Sequence, residues 1–303
     1  MKKGPSESGP GSLLAQTKKL LRRSGLRARK GLGQHFLVDS GALETVVAAA
    51  DLAPEDTVIE VGPGLGILTR ELAAKAGWVI AIELDDKLAD ALTQSLAGFD
   101  NVVIINRDIL GVDPAWLLRD SSADIPPGLT SYKVVANLPY YITSPVIRHF
   151  LEAPVKPEVM VLMVQKEVAE TIVAQPGRCS LLSIGVQFYG RPDILAYVPA
   201  SSFYPEPEVD SAVLRIDVYP RPPADVDTEG FFRLVRAGFT ASRKQLLNSL
   251  AQGLDLPKET VRPLLESAGI DPRRRAETLT VQEWAQLWHV FDQSKVVTGY
   301  AGN

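Results

Sequence analysis

The hydrophobic positions between about Ser40 and Pro220 alternate between short apolar runs and longer stretches with helical spacing. Apolar runs of four to six residues, rich in valine and isoleucine, are typical of strands that are buried on both faces. The six predicted strands are Thr57–Val61, Val79–Glu83, Val102–Asn106, Lys133–Ala136, Val159–Val164 and Ser211–Ile216. Helical patterns such as Ile67–Ala76 and Asp86–Ala97 separate them. This alternation predicts an α/β domain over residues 31–220, built on an open, doubly wound parallel sheet.

The pattern changes after a linker-like stretch, Tyr219–Asp227, in which proline and aspartate are frequent. Beyond it the strand pattern disappears, and apolar residues recur at helical spacing over Phe231–Leu250. Further on, Thr280 and Glu283 have the spacing of a capping box and precede a helical apolar pattern. Residues 224–303 are therefore predicted to form a small, all-helical C-terminal domain.

The composition is that of an ordinary globular chain, with 46% hydrophobic and 22% charged residues in 303. No apolar run approaches the roughly 20 residues that a membrane span needs, so we expect no membrane contact. The single cysteine, Cys179, excludes an intramolecular disulfide and favours a cytoplasmic protein. Because Cys179 precedes an apolar stretch and has no histidine nearby in sequence, we predict an inert buried thiol.

Basic residues cluster along the chain, although the formal net charge is −4. Seven lysines and arginines lie between Lys18 and Lys30 with no acidic residue among them. We predict that residues 1–30 form a flexible basic tail, because the first twelve are rich in Gly, Ser and Pro. A second basic pair, Arg243 and Lys244, lies in the helical domain. Such clusters are either solvated faces or surfaces that bind phosphates.

A glycine-rich loop, Glu60 to Gly66, follows the first predicted strand and precedes a helix. Its G-x-G-x-G spacing differs from the G-x-G-x-x-G of dinucleotide sites, which offer a helix N-terminus to a pyrophosphate. The acidic loop suits S-adenosylmethionine better than NAD, because that ligand has a sulfonium cation and no phosphate. The next two strands also end near carboxylates: Glu83 can accept from ribose hydroxyls, and Asp108 from an adenine amine. The alternative is a strand–helix turn without a ligand.

A second loop with chemical potential, Asn137-Leu138-Pro139-Tyr140, follows the fourth predicted strand, at the edge where doubly wound sheets bind ligands. The exocyclic amine of adenine is a poor nucleophile because its lone pair is delocalised into the ring. The Asn137 side-chain oxygen and a backbone carbonyl near Leu138 can accept its two hydrogens, while Pro139 stiffens the loop. Tyr140 offers a ring for stacking on the base. The alternative is a structural turn with a core tyrosine.

Phe203 is a second aromatic candidate, in a segment that two prolines hold extended. Together with Tyr140 it can sandwich a base turned out of its stack, and packing in the core is the alternative. The three histidines share no metal-binding spacing, so we expect no metal site.

These residues resemble the ribosomal RNA adenine dimethyltransferase family over about Lys30 to Phe291, nearly the whole folded chain. Gly33-Gln34-His35-Phe36-Leu37 is similar to the family's N-terminal cofactor motif, with His35 where asparagine is more usual. The resemblance implies that His35 and Leu37 contact the methionine end of S-adenosylmethionine. It further implies cofactor contacts for Gly62, Glu83, Asp108 and Asn137. It also implies the catalytic motif at Asn137, Leu138, Pro139 and Tyr140, and the stacking phenylalanine at Phe203.

The resemblance implies a Rossmann-like methyltransferase that dimethylates the N6 amines of two adjacent adenines in small-subunit ribosomal RNA. The segment Phe239–Leu250, which contains Arg243 and Lys244, looks like the small-subunit type. We therefore expect Arg243 and Lys244 to bind RNA, the partner to be a partly assembled small ribosomal subunit, and the protein to be a monomer. Three alternatives remain: a large-subunit enzyme of the macrolide-resistance type, a DNA adenine methyltransferase, and a non-catalytic assembly or transcription factor on the same fold.

Overall fold

The structure is a computed structural model that describes residues 11–26, 28–29, 33–118, 131–222 and 224–294. The chain divides into two compact units, with boundaries after Ala169, Arg191 and Val218. The first unit takes the chain up to Ala169 together with Pro192–Val218, and the second takes Glu170–Arg191 together with the chain from Tyr219 onward. The helical unit therefore also includes a segment that lies inside the predicted methyltransferase domain.

A seven-stranded sheet dominates the first unit, and its inner strands are almost fully buried, as their Val- and Ile-rich sequences predict. Its strands are β2 (Thr57–Val61), β3 (Trp78–Glu83), β4 (Val102–Asn106), β5 (Lys133–Asn137), β6 (Val159–Gln165), β7 (Gly190–Val198) and β9 (Ser211–Val218). They are arranged in the order β4-β3-β2-β5-β6-β9-β7. The five strands from β4 to β6 are parallel, and β9 pairs antiparallel with β6. The α/β prediction is thus confirmed.

The strand order reverses between β2 and β5, because the chain runs outward through β3 and β4 before it returns to the other side of β2. In open α/β sheets such a reversal leaves a crevice at the carboxyl ends of the two strands, where ligands bind. The glycine-rich loop begins at the end of β2, and the Asn137 loop begins at the end of β5. The topology therefore brings the two predicted motifs to one edge of the sheet.

A short antiparallel pair lies outside the main sheet and joins two segments that are distant in sequence. Strands β1 (Phe36–Leu37) and β8 (Phe203–Tyr204) pair so that Phe36 is opposite Tyr204 and Leu37 is opposite Phe203. The helices of this unit are α1 (Leu13–Arg23), α2 (Ser40–Ala49), α3 (Ile67–Ala73), α4 (Asp86–Ser95), α5 (Pro114–Leu117), α6 (Thr143–Glu152) and the start of α7 (Lys166–Ile172).

Helix α1 corrects the expectation that residues 1–30 are a flexible tail. Ser12 caps the helix by accepting a hydrogen bond from the amide of Ala15, and Thr17 and Leu21 are buried. Leu21 joins an apolar cluster with Phe36, Leu65 and Leu88. The apolar residues of this segment have helical spacing. The prediction of a tail considered the basic residues of the segment and not this spacing. Residues 1–10, 27 and 30 of the predicted tail lie outside the described residues.

The second unit is helical, as predicted for the C-terminal region. It contains α8 (Leu181–Tyr189), α9 (Thr228–Phe239), α10 (Leu246–Gly253), α11 (Lys258–Ser267) and α12 (Val281–Gln293). Two helices cover the predicted apolar pattern of Phe231–Leu250, and a break at residues 240–245 separates them. The capping box of Thr280 and Glu283 is confirmed at the start of α12. Among the described residues, no helix is long and apolar enough to cross a membrane.

Candidate active site

A cleft of about 340 Å³ lies at the carboxyl edge of the sheet, where the strand order reverses. Its volume falls in the range of roughly 300–1,000 Å³ that small-molecule sites occupy. Nine of the predicted site residues line it: His35, Leu37, Gly62, Glu83, Asp108, Asn137, Leu138, Pro139 and Tyr140. The fold therefore gathers one site from five separate segments of the chain.

The glycine-rich loop turns through the left-handed region of backbone conformation, where a side chain is strained. Gly62, Gly64 and Gly66 have φ angles of +66°, +58° and +75°. A Cβ at Gly64 would lie 3.0 Å from Cε1 of Phe36, and a Cβ at Gly62 would lie 3.8 Å from Cδ of Pro139. The glycines therefore set the path of the loop, and a side chain at Gly64 would press against the ring of Phe36.

Glu83 at the end of β3 is buried and supports the glycine-rich loop directly. Its Oε2 accepts from the amide of Gly64 at 3.1 Å, and its Oε1 accepts from the amide of Asp85 at 3.0 Å. Burial raises the pKa of Glu83, while these two amides favour the charged form. Each carboxylate oxygen has two lone-pair sites, so the group keeps capacity for ligand hydroxyls.

Glu60 lies deeper, at the end of β2, and is only 1% exposed. Its Oε2 has no hydrogen-bond partner among the described residues. Burial, with a smaller contribution from the nearby Glu83 carboxylate, raises the pKa of Glu60 to about 8. The sequence indicated only that this residue is acidic, whereas its burial keeps it largely protonated at neutral pH.

The Asn137 side chain is held in one orientation. Its Nδ2 donates to the backbone carbonyl of His35 at 3.0 Å, and a carbonyl can only accept, so the amide nitrogen must lie on that side. The opposite atom, Oδ1, and the carbonyl of Leu138 accept no hydrogen bond from the described residues. Hydrogen bonds from the Leu138 amide to Met163 and from the Ile142 amide to Pro139 fix the loop on both sides. The loop therefore presents two fixed, unused acceptors.

Tyr140 is half-buried beside these acceptors. Its ring stacks on that of His35 with centroids 5.9 Å apart and planes at 20°, and its hydroxyl lies 2.9 Å from Oγ of Ser211. Nδ1 of His35 lies 2.7 Å from the carbonyl of Pro205 and must donate to it. Both rings are thus held in place before any ligand binds.

The opposite wall carries Asp108 and two leucines that sequence reasoning missed. Asp108 is exposed at the end of β4, where its Oδ1 accepts from the amide of Leu110 at 3.0 Å. Leu84 and Leu110 follow the two strand-end carboxylates and remain 58% and 39% exposed on the cleft wall. Exposed apolar side chains beside hydrogen-bond acceptors fit the face of a planar base. The sequence feature that could have identified the two leucines is their position one or two residues after an acidic residue at a strand end.

Phe203 is the one predicted catalytic residue that is not on the cleft wall. Its side chain is 4% exposed and packs in the apolar core with Leu37, Val198 and Val213. Phe203 lies opposite Leu37 in the β1–β8 pair. Removing the apolar surface of its ring from water stabilises the folded protein. This placement corrects the expectation that Phe203 stands free to sandwich a base against Tyr140.

The predicted RNA-binding residues, Arg243 and Lys244, are exposed in the break between α9 and α10. Backbone hydrogen bonds from Leu246 to Arg274 and from Leu247 to Pro272 hold this segment beside a run of three arginines. Those arginines are paired within the second unit: Arg273 with Asp271, Arg274 with Glu283, and Arg275 with Glu277. Neither Arg243 nor Lys244 forms an ion pair with a described residue.

Comparison with known proteins agrees with this geometry. The sequence profile of a family described as ribosomal RNA adenine dimethylase matches residues 25–293. A protein of Dehalococcoides mccartyi named ribosomal RNA small subunit methyltransferase A is 53% identical over 288 residues, which cover 95% of this chain and 96% of that protein.

Two solved structures extend the comparison. The 23S rRNA methyltransferase ErmE is 29% identical with a TM-score of 0.66, and the match covers 85% of this chain and 100% of that one. A dimethyladenosine transferase from Plasmodium falciparum is 24% identical and shares the fold, with a TM-score of 0.71 over 86% of this chain and 98% of that one. The profile match and the 53% identity extend over the cleft and both of its loops, and the chain belongs to the ribosomal RNA adenine dimethylase family.

Proposed function

We propose that the protein transfers methyl groups from S-adenosylmethionine to the N6 amines of adenines in small-subunit ribosomal RNA. The observation that carries this proposal is the orientation of Asn137, whose Nδ2 donates to the carbonyl of His35. Its Oδ1 and the carbonyl of the next residue, Leu138, accept no hydrogen bond from the described residues. Two fixed acceptors match an amine that carries two hydrogens. The name of the Dehalococcoides relative supports the small subunit as the source of the RNA.

The cleft fits the cofactor by shape and by chemistry. The glycine-rich loop leaves a gap that a side chain at Gly62 would narrow, and the wall beyond it combines the Glu83 carboxylate with the exposed Leu84 and Leu110. We infer that Glu83 binds the ribose, that Asp108 with the two leucines binds the adenine, and that Gly62, His35 and Leu37 surround the methionine end. When bound, S-adenosylmethionine supplies an electrophilic methyl group.

The residues of the Asn137 loop prepare the acceptor amine. Hydrogen bonds to Asn137 Oδ1 and the Leu138 carbonyl draw the nitrogen out of conjugation with the ring, so that its lone pair becomes available. These bonds are strongest when the nitrogen is tetrahedral, and they therefore favour the transition state over the ground state. The amine becomes strongly acidic as its new N–C bond forms, so its proton can leave to water without a strong general base. Tyr140 holds the base by stacking.

The exposed Arg243 and Lys244 give the helical unit a surface for RNA phosphates. The acceptors in the cleft are the same for any adenine, so the choice of substrate must come from contacts outside it. A partly assembled small subunit presents phosphates and 2′-hydroxyls in fixed positions, which such a surface recognises by shape. We propose that the protein acts on this particle as a monomer in the cytoplasm.

The test is to incubate the protein with labelled S-adenosylmethionine and undermethylated small subunits, and then to identify the labelled nucleoside. We expect N6-methylated adenosine from the small subunit, and much less label in the Asn137→Ala variant. Large-subunit RNA and adenine-containing DNA, tested at the same salt concentration, represent the rival functions. Equal or better turnover on either would overturn the small-subunit assignment, and no label on any substrate would favour a non-catalytic factor.

A further inference from the structure

An exposed aromatic ring stands on the rim of the cleft, directly after the residue that faces the target base. Tyr141 leaves 59% of its surface open and belongs to the cleft wall. Its hydroxyl makes no hydrogen bond to a described residue. Single exposed apolar side chains are common on protein surfaces. The position of Tyr141, not its exposure alone, therefore carries the argument.

Tyr140 and Tyr141 face different directions, although they are neighbours in sequence. Both belong to the 3-10 helix Tyr140–Ile142, in which successive side chains point about 120° apart. Tyr140 faces the cleft, where His35 and Ser211 hold its ring and its hydroxyl. A base that lies against Tyr140 therefore cannot lie flat on Tyr141 as well.

The ring of Tyr141 is supported on the side of the N-terminal cofactor motif. A Cβ placed on Gly33 would lie 3.6 Å from Cδ1 of Tyr141 and 3.6 Å from Cβ of Pro139. The ring thus borders the backbone of Gly33, where φ is +62° and a side chain would be strained. Backbone on one side of the ring and solvent on the other are the properties of a stacking platform.

Turning an adenine out of its stack costs a few kcal/mol, because its neighbours lose a stacking partner. An aromatic ring at the mouth of the cleft can replace that partner for one neighbour. We infer that Tyr141 is the platform on which the nucleotide next to the methylated adenine stacks. The inference rests on the proposed methylation of an adenine in RNA and adds a second base contact. Because every base has a π face, Tyr141 contributes affinity and positioning, not base identity.

The experiment compares Tyr141→Ala, Tyr141→Phe and Tyr197→Ala with the unchanged protein on undermethylated small subunits. Tyr197 is the matched control, because it is 56% exposed in the same unit but does not line the cleft. For Tyr141→Ala we expect kcat/KM to fall about five- to 150-fold, which corresponds to roughly 1–3 kcal/mol per stacked base. The loss should lie mainly in KM, with the single-turnover rate at saturating substrate changed less than about threefold. Tyr141→Phe keeps the ring and should stay within about twofold.

Cofactor affinity, measured by calorimetry without RNA, should be the same in all four proteins. An unchanged kcat/KM in Tyr141→Ala would overturn the inference, and so would a Tyr141→Phe variant as impaired as Tyr141→Ala, since the hydroxyl would then be the important group. Loss of cofactor affinity would assign Tyr141 to the cofactor instead. A fall confined to the single-turnover rate would assign it to the target base. If the unchanged protein itself fails to methylate small-subunit adenines, the proposed function has failed, which is a separate result.

Discussion

At the scale of single residues, the predicted cofactor residues and the Asn137 loop meet in one cleft, whereas Phe203, Arg243 and Lys244 do not line it. The hydrogen-bond partners of the site residues could not be read from the sequence. Asn137 was expected to offer an acceptor, and the bond from its Nδ2 to the carbonyl of His35 explains how that acceptor is aimed. Because the partner lies 102 residues away, no local pattern could predict it. Phe203 was misplaced for the same reason: its burial depends on Leu37 across a short strand pair. The roles of all the site residues stay predictions.

The first prediction concerns Asn137→Ala. We expect the single-turnover rate of methylation to fall roughly 100-fold, the typical loss when one group that stabilises a transition state is removed. RNA affinity should change little, because the lost acceptor matters most when the amine is tetrahedral. Asn101→Ala is the control, since Asn101 also donates to backbone carbonyls, those of Ala73 and Ala76, but lies outside the cleft. A normal rate in a folded Asn137→Ala variant would contradict the catalytic role.

The second prediction concerns the pH dependence of stability through Glu60. In the folded protein, the Glu60 carboxyl keeps its proton up to about pH 8. In the unfolded chain, the same group releases the proton near its ordinary pKa of 4.5. Between these values the folded state binds more protons, so the free energy of unfolding falls as pH rises, by on the order of a few kcal/mol in total. The contribution is complete below the unfolded pKa and is lost by about pH 8.

Glu60→Gln removes this titration, and its unfolding free energy should therefore fall less between pH 5 and pH 8. Denaturant unfolding of the cofactor-free protein at several pH values measures the difference. Glu71→Gln is the control, because Glu71 is an exposed residue of α3. Its unfolding free energy should change with pH in the same way as that of the unchanged protein. Parallel profiles for Glu60→Gln and the unchanged protein would mean that Glu60 is ionised in the fold.

At the scale of elements, strands with runs of Val and Ile were predictable, whereas one edge strand and the first helix, which have weaker patterns, were not. The predicted β2 and β4 have the bounds that the structure gives them, because a run of Val and Ile indicates a strand in the centre of the sheet, as in β2, and at its edge, as in β4. Strand β7 was missed, since Gly190–Val198 contains Gly, Pro and Asp, which edge strands tolerate. Helix α1 was missed because four of its eleven residues are basic, and the segment was interpreted as part of a basic tail.

The third prediction concerns the turn between β2 and α3. Gly64→Ala should destabilise the protein by at least about 1–2 kcal/mol, the cost of a left-handed conformation for a residue with a Cβ. The new methyl group would also meet Phe36 at 3.0 Å and displace either the ring or the loop. Since Glu83 holds the Gly64 amide, cofactor affinity should fall together with stability.

Gly98→Ala provides the matched control. A Cβ at Gly98 meets no atom within 4 Å, and its φ lies outside the left-handed range, so its stability should be unchanged or slightly higher. Chemical denaturation and calorimetry with S-adenosylmethionine measure the two effects. A Gly64→Ala variant with normal stability and normal affinity would show that the loop conformation is not required.

At the scale of the whole molecule, the sequence located the helical region but not its full extent. Glu170–Arg191 joins the second unit because α8 brings aromatic side chains into its core: the ring of Phe188 stacks on that of Phe231 at 4.6 Å and contacts that of Phe232 at 5.2 Å. A cut at residue 224 would therefore expose Phe188 in what remains. Substrate selection by this unit is better tested with point variants at its surface.

The whole-molecule charge also proved less informative than its arrangement. After residue 240 the sequence has two basic clusters, Arg243–Lys244 and Arg273–Arg275. From the sequence alone, both are equally good candidates for a surface that binds phosphates. In the structure each arginine of the second cluster faces a carboxylate, and one of these pairs, Arg274 with Glu283, also involves the capping box of α12. Such pairing offsets the charge that a phosphate would meet. Of these two clusters, we therefore expect Arg243–Lys244 to release more counterions from the RNA phosphates per basic residue.

The fourth prediction is a test of that difference by salt titration. RNA affinity should fall steeply with salt although the net charge is −4, because local cations, not the total charge, meet the phosphates. Changing both Arg243 and Lys244 to glutamine should flatten the dependence of log affinity on log salt by about one to two units. Both side chains are exposed, so the free energy of unfolding should change by less than about 0.5 kcal/mol.

Arg273→Gln, which removes one exposed but paired cation, should change the slope less than either single substitution at Arg243 or Lys244. Binding curves of small subunits at four or more salt concentrations supply the slopes. Equal slopes for the double variant and the unchanged protein would mean that these residues are solvated in the complex, and the RNA surface would have to be sought among other cations of the chain.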